Sequence, residues 1–202
     1  MDILKKKKTF FLENDTTSSE QPYYYNVHQK TAKEEFAGQI RKLRRYIHHT
    51  NCTPIFLCIG SDRATGDCFG PLVGEKLTRI FSTSKTPSAM PIVYGTLQNP
   101  VHAINLANVI NQIQTTFYNP FIIAIDASLG VRQHIGYITL GNGPLLPGIG
   151  VQKELPQIGN AAITGIVNLA GKNSHITLQT TRLSTVVELA EFVTDGIASV
   201  YH

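Results

Sequence analysis

Two loops in this chain bring acidic side chains to the ends of apolar stretches. "FLCIGSDRATGDCFGPLVGEKL", residues 56–77, passes from an apolar run into a loop with Asp62 and Asp67 and then into a helical pattern. "FIIAIDASLG", residues 121–130, repeats the device with Asp126. A pair of carboxylates suits acid/base chemistry when their environments differ: one holds a water as general base while the other, protonated, donates to a developing oxyanion. A helix start beside Asp67 lowers the cost of its charge. Asp126, after five apolar residues, is expected to be partly desolvated, with its pKa raised.

Each aspartate also has a purely structural reading. Asp67 is a candidate helix cap, although Gly70-Pro71 allows the helix to start at Pro71 and leave Asp67 in the loop. Asp126 is a candidate for an Asx-type turn bond. Asp62, beside Arg63, reads as a turn former or surface ion pair, and is also a substrate-binding candidate. Cys68 next to Asp67 is a candidate nucleophile near a helix start, where thiol pKa falls; the alternative is a small buried residue. Cys58 reads as core. His102 and His134 are placed to approach the same crevice. The loop has neither the Gly-Lys-Ser/Thr ending of a phosphate loop nor a triple-glycine dinucleotide spacing.

The elements that must hold these groups alternate strand and helix from residue 53 onward, the pattern of a mostly parallel sheet covered by helices, a three-layer α/β/α domain. "TPIFLCIG", "PIVYGTL" and "FIIAIDAS" read as buried strands, the last ending at Asp126. "RQHIGYITLGN" and "NAAITGIVNL" are further strand candidates. Helices are expected over "FAGQIRKLRRYIHH" (Phe36, Ile40, Leu43, Ile47), "GPLVGEKLTRIF" (Leu72, Val73, Leu77, Ile80), "VHAINLANVINQIQTTF" (Ile104, Ala107, Ile110, Ile113) and "LSTVVELAEFVTDGIASVYH". In such a fold the loops at the carboxyl ends of the strands form the ligand crevice, and the strand order decides whether the two carboxylates meet.

At 202 residues, 42% hydrophobic and 16% charged, the chain is long enough for one well-buried core. Residues 31–202 are assigned to that domain and residues 1–30, without periodicity, to a poorly ordered arm. No apolar run reaches the roughly 18 residues of a membrane span. Three cysteines without a Cys-x-x-Cys pair fit a reducing compartment, so a cytoplasmic location is expected. The surplus of positive charge is N-terminal: residues 1–50 hold ten Lys and Arg against six Asp and Glu. Arg41, Lys42, Arg44, Arg45 and His48 make the first helix basic, read mainly as a solvated face and secondarily as a nucleic-acid contact.

"GSDRATGDCFGPLVGEKL" resembles the signature of the YyaC family of spore proteases, and "IDASLG", "PGIGVQKELPQIGNAAITGIVN" and "LQTTRLSTVVELAE" continue the resemblance in order. More distantly these blocks are similar to the spore germination protease, with "GDCFGPLV" in place of "PDALGPLV" and a shared "AIDA", and to the hydrogenase maturation endopeptidases. The resemblance implies a hydrogenase maturation protease-like fold and a metal-independent peptidase with Asp67 and Asp126 as its catalytic pair. Gly148, Gly150 and Lys153 would form part of the substrate wall. It also implies a spore or sporulation protein as substrate, a forespore or spore-interior location and no cofactor; homo-oligomerisation is left open. Two other classes stay in play: a metal-dependent relative using the same carboxylates as ligands, and a non-catalytic partner-binding protein.

Overall fold

A computed structural model describes residues 21–84, 90–145 and 157–201. Six strands form one sheet: β1 (Tyr23–Asn26), β2 (Thr53–Cys58), β3 (Ile92–Tyr94), β4 (Pro120–Gly130), β5 (Tyr137–Asn142) and β6 (Ala161–Leu169), in the order β1-β5-β6-β4-β2-β3. The pairs β2–β3, β2–β4 and β4–β6 are parallel, and β5 is antiparallel to both its neighbours. Only β5 therefore runs against the rest. The helices are α1 (Ala32–His49), α2 (Phe69–Ser82), α3 (Leu106–Thr116), α4 (Ser174–Gln179) and α5 (Leu183–Tyr201).

Side-chain alternation divides the core into two layers. Phe56, Cys58, Ile123, Ile125, Ile138 and Ile163 pack with α1, α2 and α5 on one face. Ile55, Leu57, Ile122 and Ala124 pack with Leu106 and Ile113 of α3 on the other. Because β2 and β4 are covered on both sides, their sequences read as continuous apolar runs rather than alternating ones. The mostly parallel α/β/α expectation is met.

Several expectations need correction. The domain does not begin at residue 31, since Tyr23–Asn26 pairs with β5 as an edge strand and buries Tyr25 against Phe36 at a ring distance of 5.4 Å. A four-residue strand is too short to show a period, so nothing in its own pattern marks it. In α3 the expected Ile104 is 84% exposed, before the helix, and the core-facing residues are Leu106 and Ile113. There Asn105 accepts a bond from the His102 N–H (2.8 Å) and donates to the Pro100 carbonyl (3.0 Å), which fixes a turn where the sequence pattern places helix. His134 lies in a 3-10 turn, Arg132–His134, ahead of β5 rather than on it. The six-residue α4 was not anticipated.

Candidate functional site

The site forms where β2 leaves the sheet. The β2–β4 ladder ends at Cys58 opposite Ile125, followed by one more bond from the Ile59 N–H to the Ile125 carbonyl at 2.7 Å. Gly60 then turns the chain away with φ +133°, and a Cβ there would lie 2.0 Å from the Asp67 carbonyl oxygen. Only glycine accommodates both the dihedral and the approach. Ten residues on, Gly70 lets α2 start against the strand end: a Cβ would lie 2.1 Å from the Ile59 carbonyl oxygen. Between the two glycines a 3-10 turn, Thr65–Cys68, carries Asp67 and rests against β4.

Strand order brings the second carboxylate to the same place. From β2 the chain passes through α2 to β3 on one side, and from β3 through α3 to β4 on the other side of β2, with α2 and α3 on opposite faces. The carboxyl ends of β2 and β4 therefore flank the point where the direction of winding reverses, the crevice position of open α/β sheets. Asp126 is the first β4 residue beyond the β2 ladder, facing Thr164 of β6. It is not the end of its strand, because β4 continues to Gly130 on the β6 ladder. What ends there is the neighbouring strand, and that exposes one edge of β4 to the Asp67 loop.

Asp67 caps no helix: α2 has no side-chain cap bond. Its Oδ2 instead accepts the Ser61 N–H at 2.8 Å and the Ser61 Oγ–H at 3.1 Å, closing the loop on itself. Asp126 Oδ1 accepts the N–H of Ala127 at 2.8 Å, a local Asx-like bond. Burial pushes the half-buried Asp67 carboxyl above the usual carboxylate range, while the Ser61 bonds and the charges of His102 and His175 pull it down. Asp126 is driven well above that range, first by burial and next by the charge of Asp67, with the Ala127 bond opposing. The coupling is asymmetric: Asp67 is the first to ionise and its charge then holds the proton on Asp126.

His175 belongs to this neighbourhood and was missed in the sequence reading. It sits on α4, which packs on the 3-10 turn through Leu178; a Cβ at Gly66 would lie 2.8 Å from that side chain. The available signal was "NSHITLQT", a histidine just after a polar pair before a short helix. Asp62 is exposed on the rim, close enough for its charge to raise the Cys68 thiol. Cys68 is buried and donates to the Thr65 carbonyl at 2.9 Å; burial first, then Asp67 and Asp62, push its pKa up. A thiol held protonated in this way is a poor nucleophile, opposite to the helix-start expectation. Cys58 is fully buried. His134 packs between Tyr24 (4.9 Å) and Tyr137 (5.3 Å). Gly148, Gly150 and Lys153 lie outside the described residues. Among the described residues no group of three or more His, Cys, Asp or Glu is arranged to hold a metal ion, and no helix is long and apolar enough to cross a membrane.

Fold and site together define an α/β/α protein with a carboxylate pair at the winding reversal of its sheet. The chain belongs to the family described as "Protein of unknown function (DUF1256)", whose model matches residues 24–196. It is 46% identical over 144 residues to "Uncharacterized protein YyaC" of Bacillus subtilis (strain 168), a match covering 71% of this chain and 67% of that protein. Among solved structures it is similar to a [NiFe] hydrogenase maturation protease, HycI, from Thermococcus kodakarensis KOD1, at 18% identity and a TM-score of 0.47, covering 73% of this chain and 90% of that one.

Proposed function

We infer that this protein is a peptidase that hydrolyses a peptide bond with Asp67 and Asp126, without a covalent intermediate. The observation that carries the reading is the unequal carboxylate pair: Asp67 fixed by two Ser61 bonds on one oxygen, and the half-buried Asp126 raised further, by desolvation first and by the Asp67 charge next. Because Asp126 is raised further than Asp67, Asp67 is the base and Asp126 the acid. Asp67 takes a proton from a water as the water oxygen bonds to the scissile carbonyl carbon, and Asp126 gives its proton to the carbonyl oxygen. The resulting gem-diol collapses as the C–N bond breaks: Asp67 passes its proton to the departing amine and Asp126 recovers one from the diol. Both carboxyls end as they began. The resemblance to spore proteases supports a spore or sporulation protein as substrate and a forespore location.

The test is incubation of the full chain with a proteome-derived peptide library across pH 5–8, with new termini read by mass spectrometry. Cleavage by the native chain, lost in Asp67→Asn and in Asp126→Asn while circular dichroism is unchanged, is the expected result. Cleavage that survives Asp67→Asn refutes the mechanism. Loss of activity in EDTA, restored by a divalent cation, transfers the same carboxylates to metal-dependent hydrolysis, with His102 and His175 as the neighbouring imidazoles. No cleavage at all, with wild-type biological activity retained by Asp67→Asn, makes the protein a binding module.

A further inference from the structure

The basic face of α1 plays no part in the carboxylate site. Arg41, Arg44, Arg45 and His48 are spaced i, i+3, i+4, i+7 and so share one helical stripe, with His49 beside them at a ring distance of 6.0 Å from His48. This stripe meets the last turn of α5. Between them lies a cavity of about 430 Å³, lined by those five side chains together with Ser199 and Val200, with no carboxylate in its wall. Because α1 leads directly into the start of β2, the cavity is at the amino end of the strands, across the domain from Asp67 and Asp126.

Helix capping explains only part of this arrangement. A helix C-terminus favours cations within its final turn, which in α1 holds His48 and His49 but not Arg41 or Arg45. Arg44 is immobilised by the Val200 carbonyl and by stacking 4.8 Å over the Tyr201 ring. Arg41 is paired with Glu34 at 2.7 Å. Arg45 has no carboxylate partner among the described residues. Like charges three and four residues apart repel one another along a helix, and of the three arginines only Arg41 has a carboxylate partner among the described residues.

We propose that this cavity is a binding site for a small, multiply charged phosphate ligand. Guanidinium forks match phosphate oxygens in pairs, Arg44 is already held in place, and the Ser199 hydroxyl adds a neutral donor. The volume suits a compact ligand. Lys and Arg equal Asp and Glu, at eight each, over residues 51–202, so the surplus positive charge is confined to residues 1–50 and gives a nucleic-acid strand a short basic tract rather than an extended one to follow.

Isothermal titration of the full chain with inorganic pyrophosphate and with triphosphate at low ionic strength tests this. The expected result is a one-site isotherm, tighter for triphosphate, that weakens about tenfold in Arg45→Gln and further in Arg45→Gln/His48→Gln. Lys33→Gln, which removes an equal charge from the Asp195 pair outside the cavity, and Asp67→Asn should both leave it unchanged. No saturable binding, or equal weakening by Lys33→Gln and Arg45→Gln, overturns the proposal, and so does a single-stranded 20-mer binding more tightly than triphosphate. The outcome is independent of peptidase activity, so either proposal can fail alone.

Discussion

Replacing Asp126 by Asn tests the catalytic reading through stability. A carboxyl whose folded pKa is raised above its unfolded value favours folding only while protonated; that contribution is complete below the unfolded pKa and is lost as pH rises through the folded one. Burial and the Asp67 charge act on Asp126 in this direction. Asparagine keeps the Oδ1 that accepts the Ala127 N–H, nearly keeps the volume, and never ionises. Above the unfolded pKa the native chain must either keep a proton on Asp126 or ionise it in desolvating surroundings, and the variant escapes that cost, about 1–3 kcal/mol for polar groups of this kind. Urea unfolding of both proteins at intervals from pH 4 to pH 8 measures it. Asp126→Asn should match the native chain at the acid end, become progressively more stable as pH rises, and then hold a constant advantage, with the m-value unchanged and peptide cleavage lost. A variant less stable at pH 7, or a difference that does not change with pH, would refute the argument that Asp126 is held protonated by its surroundings.

Ser61→Ala removes one of the two donors on Asp67 Oδ2 and keeps the backbone N–H. The Asp67 carboxyl should then titrate higher, seen by carbon NMR, and the acid limb of any cleavage profile should move up with it; Ser61→Thr should restore both. Gly60→Ala forces a Cβ to within 2.0 Å of the Asp67 carbonyl oxygen at φ +133°. A loss of roughly 2 kcal/mol or more in denaturant unfolding is expected from strain and displacement of the loop, and an unchanged midpoint would show that the loop relaxes freely.

Much of this architecture is legible along the chain. Continuous apolar runs at 53–58 and 121–125 mark strands covered on both faces, and the spacing of Phe36, Ile40, Leu43 and Ile47 marks α1, because burial on a helix or strand imposes its own period on the sequence. Short or locally hydrogen-bonded segments leave no such period. The edge strand at Tyr23–Asn26, the Asn105 turn that removes Ile104 from α3, and α4 with His175 are therefore invisible until their partners are in place.

Residue order alone determined that Asp67 and Asp126 each come after an apolar run belonging to a mostly parallel sheet. Tertiary structure decided that β4 lies beside β2, and hence that the two carboxyls feel one another. That adjacency arises from α2 and α3 crossing opposite faces of the sheet, a long-range choice made by packing the two core layers. Proton affinity follows the same division: a carboxyl's intrinsic value belongs to its type, but its displacement depends on what the fold places around it.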